Sequence, residues 1–235
     1  MRYLIKYSKE SEIKFISHLD LMRTIQRIIR RTDLPIEYSK GFNPHMNVSI
    51  AQPLSVGMYS CGEYMDVGLS EDMTEEYIKG KLRENLPRGI QIFEVVKVIN
   101  EEGKKVPQAM ALIDGAKYSI NIKYSDTTSL ADEINKILKE KEWITIKIGK
   151  DSVKSVDIKP MVKNFKYEVL EHGLKLGALI SCGSRENLSA KLIAKYIKEN
   201  TSAAVSDAFV DVKREEMYAY SQNELVPLYK YVAVQ

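Results

Sequence analysis

The feature that most constrains this chain is an alternation of strand and helix periods, completed once in the first hundred residues and begun again after residue 108. RYLIKYS carries the period of a strand. From Ser17 to about Thr32 the period becomes helical, with Leu21, Met22, Ile25, Ile28 and Ile29 on one face and Arg23, Arg27 and Arg30 on the other. Ser17 and Asp20 have the spacing of a capping box that opens this helix. MNVSIAQPL and GEYMDVGL read as two strands, Met73 to Leu86 as a second amphipathic helix ended by Pro87 and Gly89, and IQIFEVVKVI as a closing strand. The order βαββαβ predicts four antiparallel strands backed by two helices, a ferredoxin-like sandwich.

NEEGKKVPQ, residues 100–108, is polar and carries Gly and Pro, which marks a boundary. The pattern then returns. AKYSINIKY is a strand, residues 130–138 a helix, and ITIKI, NFKYEVL and LKLGALI are strands. Residues 187–199 form another helix, and AAVSDAFVDVKR holds the closing strand region. The expectation is an α+β chain of tandem ferredoxin-like sandwiches with antiparallel sheets. Residues 1–101 would form the domain carrying a polar loop, and residues 109–235 the second domain.

Thirty-five Lys and Arg against thirty-two Asp and Glu leave a net charge of +3, too mild for bulk charge to demand nucleic acid. Local patches must carry such a partner. Two cysteines, Cys61 and Cys182, exclude a thiolate-rich zinc site or an iron–sulfur cluster held by this chain alone. Charges interrupt the opening MRYLIKYSKE and no long apolar run follows, so the expected location is cytoplasmic, with no membrane contact.

The candidate functional residues gather in YSKGFNPHMN, residues 38–47, and in the helix before it. Gly41 suits a positive φ, and Pro44 biases Asn43 toward an extended conformation. Tyr38 and Phe42 offer faces for stacking a base, and Asn43 offers amide hydrogen bonds to a base edge. His45, an imidazole in a constrained polar segment, is the best candidate for proton transfer. His18, in the first helical turn, would be its counterpart, and Arg23 would stabilise negative charge. Arg23, Arg27 and Arg30 would otherwise contact successive phosphates. Glu63 and Asp66 fall on opposite faces of an extended strand, which opposes a paired-carboxylate mechanism. No spacing diagnostic of a metal site is present, and none is assigned.

The run FISHLDLMRTIQRIIRRTDLPIEYSKGFNPHMNVSIAQPLSVGMYSCGEYMDVGL resembles the opening of an uncharacterised bacterial family of radical-SAM-linked, or radical-SAM-associated, proteins. The resemblance places His18, Asp20, Arg23, Tyr38, Gly41, Phe42, Asn43, Pro44, His45, Gly62, Glu63 and Asp66 on the family's motif. Met46 stands where proline is usual. VDIKP resembles a later aspartate–basic–proline segment with Lys159 in place of arginine. GSRENL keeps Arg185, a candidate anion contact, but has Glu186 where the family has proline.

The resemblance implies a radical-SAM partner that would carry the iron–sulfur cluster and SAM, with no cofactor bound by this chain. The expected function is an accessory module that binds structured RNA or presents a substrate, using Arg23, Arg27, Arg30, Arg185 and the 38–45 loop. Two alternatives stand beside it: a metal-independent endoribonuclease using His45 and His18, and a protein–protein scaffold for the radical-SAM partner.

Overall fold

In a computed structural model, residues 1–100, 106–148 and 153–234 are described. Most of the 100–108 boundary segment lies outside them. The chain divides into two compact units, one of residues 1–114 and 214–235, the other of residues 115–213. The C-terminal segment, expected in the second domain, therefore joins the first unit.

The first unit begins with β1 (Arg2–Lys9), α1 (His18–Arg31), β2 (Val48–Ile50), β3 (Met58–Gly68), α2 (Glu75–Arg83) and β4 (Ile92–Lys97), followed by the short α3 (Ala109–Leu112). β1 lies between β4 and β3, β2 pairs with the far side of β3, and all three pairings are antiparallel. Ser17 caps α1, its Oγ accepting the Asp20 backbone N–H at 3.2 Å. Arg30 and Arg31 fill the last turn, where cations suit the negative end of the helix. Leu21, Ile25, Ile28 and Ile29 are buried and join Tyr3, Ile5, Met65, Val67, Ile78, Leu82 and Ile92 in one core. Burying a side chain of this kind contributes roughly 1.5–3 kcal/mol.

The second unit holds β5 (Gly115–Lys123), α4 (Leu130–Lys139), β6 (Ile144–Ile148), β7 (Val153–Asp157), β8 (Val162–Leu170), β9 (Gly173–Ser181) and α5 (Ala190–Glu199). β9 pairs antiparallel with β5 and β8, while β6 and β7 form a separate two-stranded ribbon. Trp143 anchors the core. Its ring stacks on Tyr196 with centroids 5.4 Å apart, meets Phe165 edge-on at 5.5 Å, and donates Nε1–H to the Ile137 carbonyl at 2.9 Å.

β10 (Asp211–Ser221), β11 (Glu224–Pro227) and α6 (Leu228–Ala233) complete the chain. The expected tandem ferredoxin-like sandwiches are overturned by the strand order β4-β1-β3-β10-β5-β9-β8, with β2 on β3 and β11 on β10, in one nine-stranded mixed sheet. The physical reason is β10. Its Arg214 pairs with buried Glu63 of β3 in the first unit, so this strand is not left to close a second sandwich.

Candidate functional site

The polar loop of the first unit is a built arch. Ile36 bridges Leu69, Tyr38 bridges Met46, and the Glu37 backbone N–H donates to the Gly68 carbonyl at 2.9 Å. Higher up, the Ser39 N–H donates to the His45 carbonyl at 2.8 Å, and the His45 N–H donates to Ser39 Oγ at 2.9 Å. These bonds fix the neck and leave Lys40 to Pro44 as an exposed tip. Gly41 turns the tip with φ +126°, a conformation that L side chains rarely adopt. Phe42 stands wholly in solvent and Tyr38 is about half exposed.

Beneath the arch is an open recess of about 400 Å³ lined by Glu37, Tyr38, Ser39, Lys40, His45 and Asn47, among others. Glu37 and Asn47 were not singled out from the sequence. Asn47 Nδ2 donates to Glu37 Oε2 at 2.8 Å, and the Asn47 and Gly68 N–H groups donate to the Glu37 and Asn47 carbonyls at 2.8 Å each. The pair lies on Gly68. A Cβ there would stand 2.5 Å from Asn47 Nδ2 and 2.8 Å from Glu37 Oε2. A glycine with no turn to make, placed where a strand ends, is the only sequence signal that pointed to this pair.

α1 leads to the loop with its last turn. β1 and β3 fix this polarity: Arg2 pairs with Gly68 at the loop end, and Lys9 pairs with Ser60 at the other. Buried Lys9 donates Nζ–H to the Lys14 and Ile16 carbonyls at 3.1 Å each, which pins the start of α1 to the end opposite the loop. The 14-residue helix is about 20 Å long. His18 and His45 thus stand at opposite ends of the unit. His18 is half-buried, with its Nδ1 buried and unpartnered among the described residues, while His45 is exposed in the recess.

The arginines divide in the same way. Arg23, near the start, is held by Asp20 at 3.2 Å. The Ser17 hydroxyl, then Arg23, hold the Asp20 carboxyl below the usual aspartate range. Arg27, Arg30 and Arg31 are exposed, and among the described residues none has a carboxylate within ion-pair distance.

Glu63 and Asp66 are structural supports in β3. Glu63 is fully buried and accepts two hydrogen bonds from Arg214, at 2.8 Å from Nε and 2.6 Å from Nη2. Arg214 also donates to the Gln52 carbonyl at 2.7 Å. Asp66 is buried too and accepts the Ala109 N–H at 2.8 Å, with Arg2 Nε 3.6 Å away. Burial pushes its carboxyl up, against the opposing pull of Ala109 and Arg2. Neither acid lines the recess.

Arg185 lies in the second unit, exposed, in the coil before α5 begins at Ala190. In the same unit VDIKP serves the fold, because Asp157 Oδ1 accepts the N–H of Trp143 at 2.7 Å and of Lys159 at 3.0 Å. Among the described residues no cluster of three or more His, Cys, Asp or Glu could hold a metal ion, and no helix is long and apolar enough to cross a membrane.

Two solved structures match this chain at low identity. The crystal structure of a Cbf5–Nop10–Gar1 complex contains a chain that superposes with a TM-score of 0.50 at 11% identity, over 92% of this chain and 48% of that one. This chain thus spans about half the length of that relative. The crystal structure of an unknown protein from Galdieria sulphuraria matches at 11% identity, over 91% of this chain and 96% of that one, with a TM-score of 0.25. No curated protein matches the sequence. The radical-SAM association expected from the sequence finds no support in these matches or in the family description, and that expectation is set aside. Residues 2–190 match a bacterial family, and the chain therefore belongs to the family described as "Uncharacterized protein conserved in bacteria (DUF2344)".

Proposed function

We propose that the first unit is an RNA-binding accessory module that takes hold of an unpaired segment at its loop end. The observation that supports this reading is a pair of exposed aromatics, Tyr38 and Phe42, on a hydrogen-bonded arch beside an arginine stripe without carboxylate partners among the described residues. An aromatic side chain held wholly in water gains nothing for the fold, whereas stacking on a base would bury it. Arg27, Arg30 and Arg31 would contact backbone phosphates, as guanidinium groups do, and so add the salt-dependent part of affinity. Lys40 at the tip carries the same charge into the loop.

Cleavage by a His18–His45 acid–base pair is not part of this reading, because a pair acting on one phosphodiester must reach the same few atoms. The opposite end of the unit favours a scaffold role beside RNA binding. There Phe15, Leu19 and Val56 are exposed, and the Gly57 N–H to Lys14 carbonyl bond of 2.8 Å draws the Val56 and Phe15 segments together.

The test is fluorescence anisotropy of labelled single-stranded RNA against salt concentration. Binding whose logarithmic salt slope falls when Arg27, Arg30 and Arg31 become alanine supports the proposal. A slope that the triple variant leaves unchanged refutes it.

A further inference from the structure

The recess beneath the arch has a polarity that the arginine stripe does not explain. One of its lining groups is a carboxylate, Glu37, held in place at the solvent-exposed wall in a region otherwise suited to anions. Glu37 makes no ion pair among the described residues, so it does not serve to neutralise a neighbouring cation. Its Oε2 accepts one hydrogen bond from Asn47, which orients the group and leaves Oε1 and a lone pair of Oε2 unused. The orientation is built into the backbone, since Gly68 supplies the space against which both side chains rest.

From this geometry we infer that the recess selects guanine, resting on the RNA-binding reading of the same loop. Donor count decides the base. An ionised carboxylate accepts and never donates, so its planar, two-oxygen partner must present two adjacent N–H groups. Guanine does so on its Watson–Crick edge, with N1–H beside the 2-amino group. Adenine and cytosine each place a bare ring nitrogen next to the amino group, and that lone pair would face the carboxylate. Uracil offers N3–H alone, flanked by two carbonyl oxygens. The edge is free only in unpaired RNA, which agrees with a stacking platform of Tyr38 and Phe42 beside the recess. A volume of about 400 Å³ lies within the range that small-ligand sites occupy.

The experiment uses the full chain and labelled ten-nucleotide oligouridines carrying one central G, A or inosine, read by anisotropy. The G oligomer is expected to bind roughly tenfold tighter than the A oligomer, the range of one good bidentate base contact. Inosine keeps N1–H and lacks the 2-amino group, so its affinity should fall between them. Glu37→Gln retains an oxygen for Asn47 but places a donor toward the base, and should cut the preference to less than twofold while oligouridine binding persists. A thermal melt matching wild type shows that this variant is folded.

Equal affinity for all three oligomers, with binding still dependent on Arg27, Arg30 and Arg31, overturns the guanine assignment and spares the RNA-binding reading. A preference that survives Glu37→Gln also overturns it. Absence of arginine-dependent binding removes both.

Discussion

Near the end of β1, the first unit buries a cluster of charges. Arg214 and Glu63 face each other in a bidentate pair, Lys9 lies buried beside them, and Tyr7 stands buried with a hydroxyl unpartnered among the described residues. Toward the loop, the same unit leaves Arg27, Arg30, Arg31 and Lys40 in solvent. The same chemical group thus meets two fates. A guanidinium out of water is tolerable only when paired and fully hydrogen-bonded, so Arg214 is committed to holding β10 against β3. A guanidinium left in water without a partner contributes little to stability and stays available to a ligand. The contrast teaches where to seek function: among charges that the fold does not consume.

If this division is correct, substitutions in the buried cluster should unfold the protein, and substitutions among the exposed cations should spare the fold and weaken binding. The largest effect is expected from Glu63→Ala or Arg214→Ala. Either leaves a buried charge alone and should cost about 3–5 kcal/mol in denaturant unfolding; a loss below about 1 kcal/mol would mean that solvent reaches the pair. Gly62→Ala comes next. Its Cβ would sit 2.5 Å from the Glu215 carbonyl oxygen, a backbone contact that cannot swing aside, and the expected loss is about 1–3 kcal/mol.

Replacing Arg27, Arg30 and Arg31 together by alanine should leave unfolding within about 0.5 kcal/mol per site. In the same variant the logarithmic salt slope for RNA should drop by about 2, three phosphate contacts at roughly 0.7 each. A stability loss as large as that of Arg214→Ala would erase the distinction between the buried cluster and the exposed cations. Phe42→Ala sharpens it further. With nothing buried to lose, its melting curve should superpose on wild type, while RNA affinity falls by about 1–3 kcal/mol.

The smallest effect concerns the cap of α1. Asp20 is held below its ordinary pKa of 3.8, so its contribution is complete above that value and disappears as pH falls through the lower folded one. The stability difference between wild type and Asp20→Asn should therefore be constant at neutral pH and shrink toward zero in acid. A difference that grows on acidification would contradict the bonding drawn for Ser17, Asp20 and Arg23.

How legible each part was in the sequence depended on how local its cause is. α1 was readable because its cap, its apolar face and its arginine face all lie within sixteen residues. The loop was readable as a shape from Gly41 and Pro44. β10 was read only at its start, at the end of AAVSDAFVDVKR, because KREEMYAYS opens on four charged residues and the partner of Arg214, Glu63, is 151 residues away. The Glu37–Asn47 pair was hidden for a different reason. Polar residues in a turn are ordinary, and only the approach of Gly68 marks these two as fixed.

By itself, the sequence determined the order of the first six elements, the capped amphipathic α1, and the presence of an aromatic, glycine-turned loop, because periodicity, capping and backbone preference act over a few residues. The tertiary structure alone decided that β10 joins the first unit, that Glu63 and Asp66 belong to the interior, and that the loop meets the last turn of α1 and not its first. Those outcomes rest on pairings between residues tens to hundreds of positions apart, where strand register and the cost of burying a charge decide which groups meet.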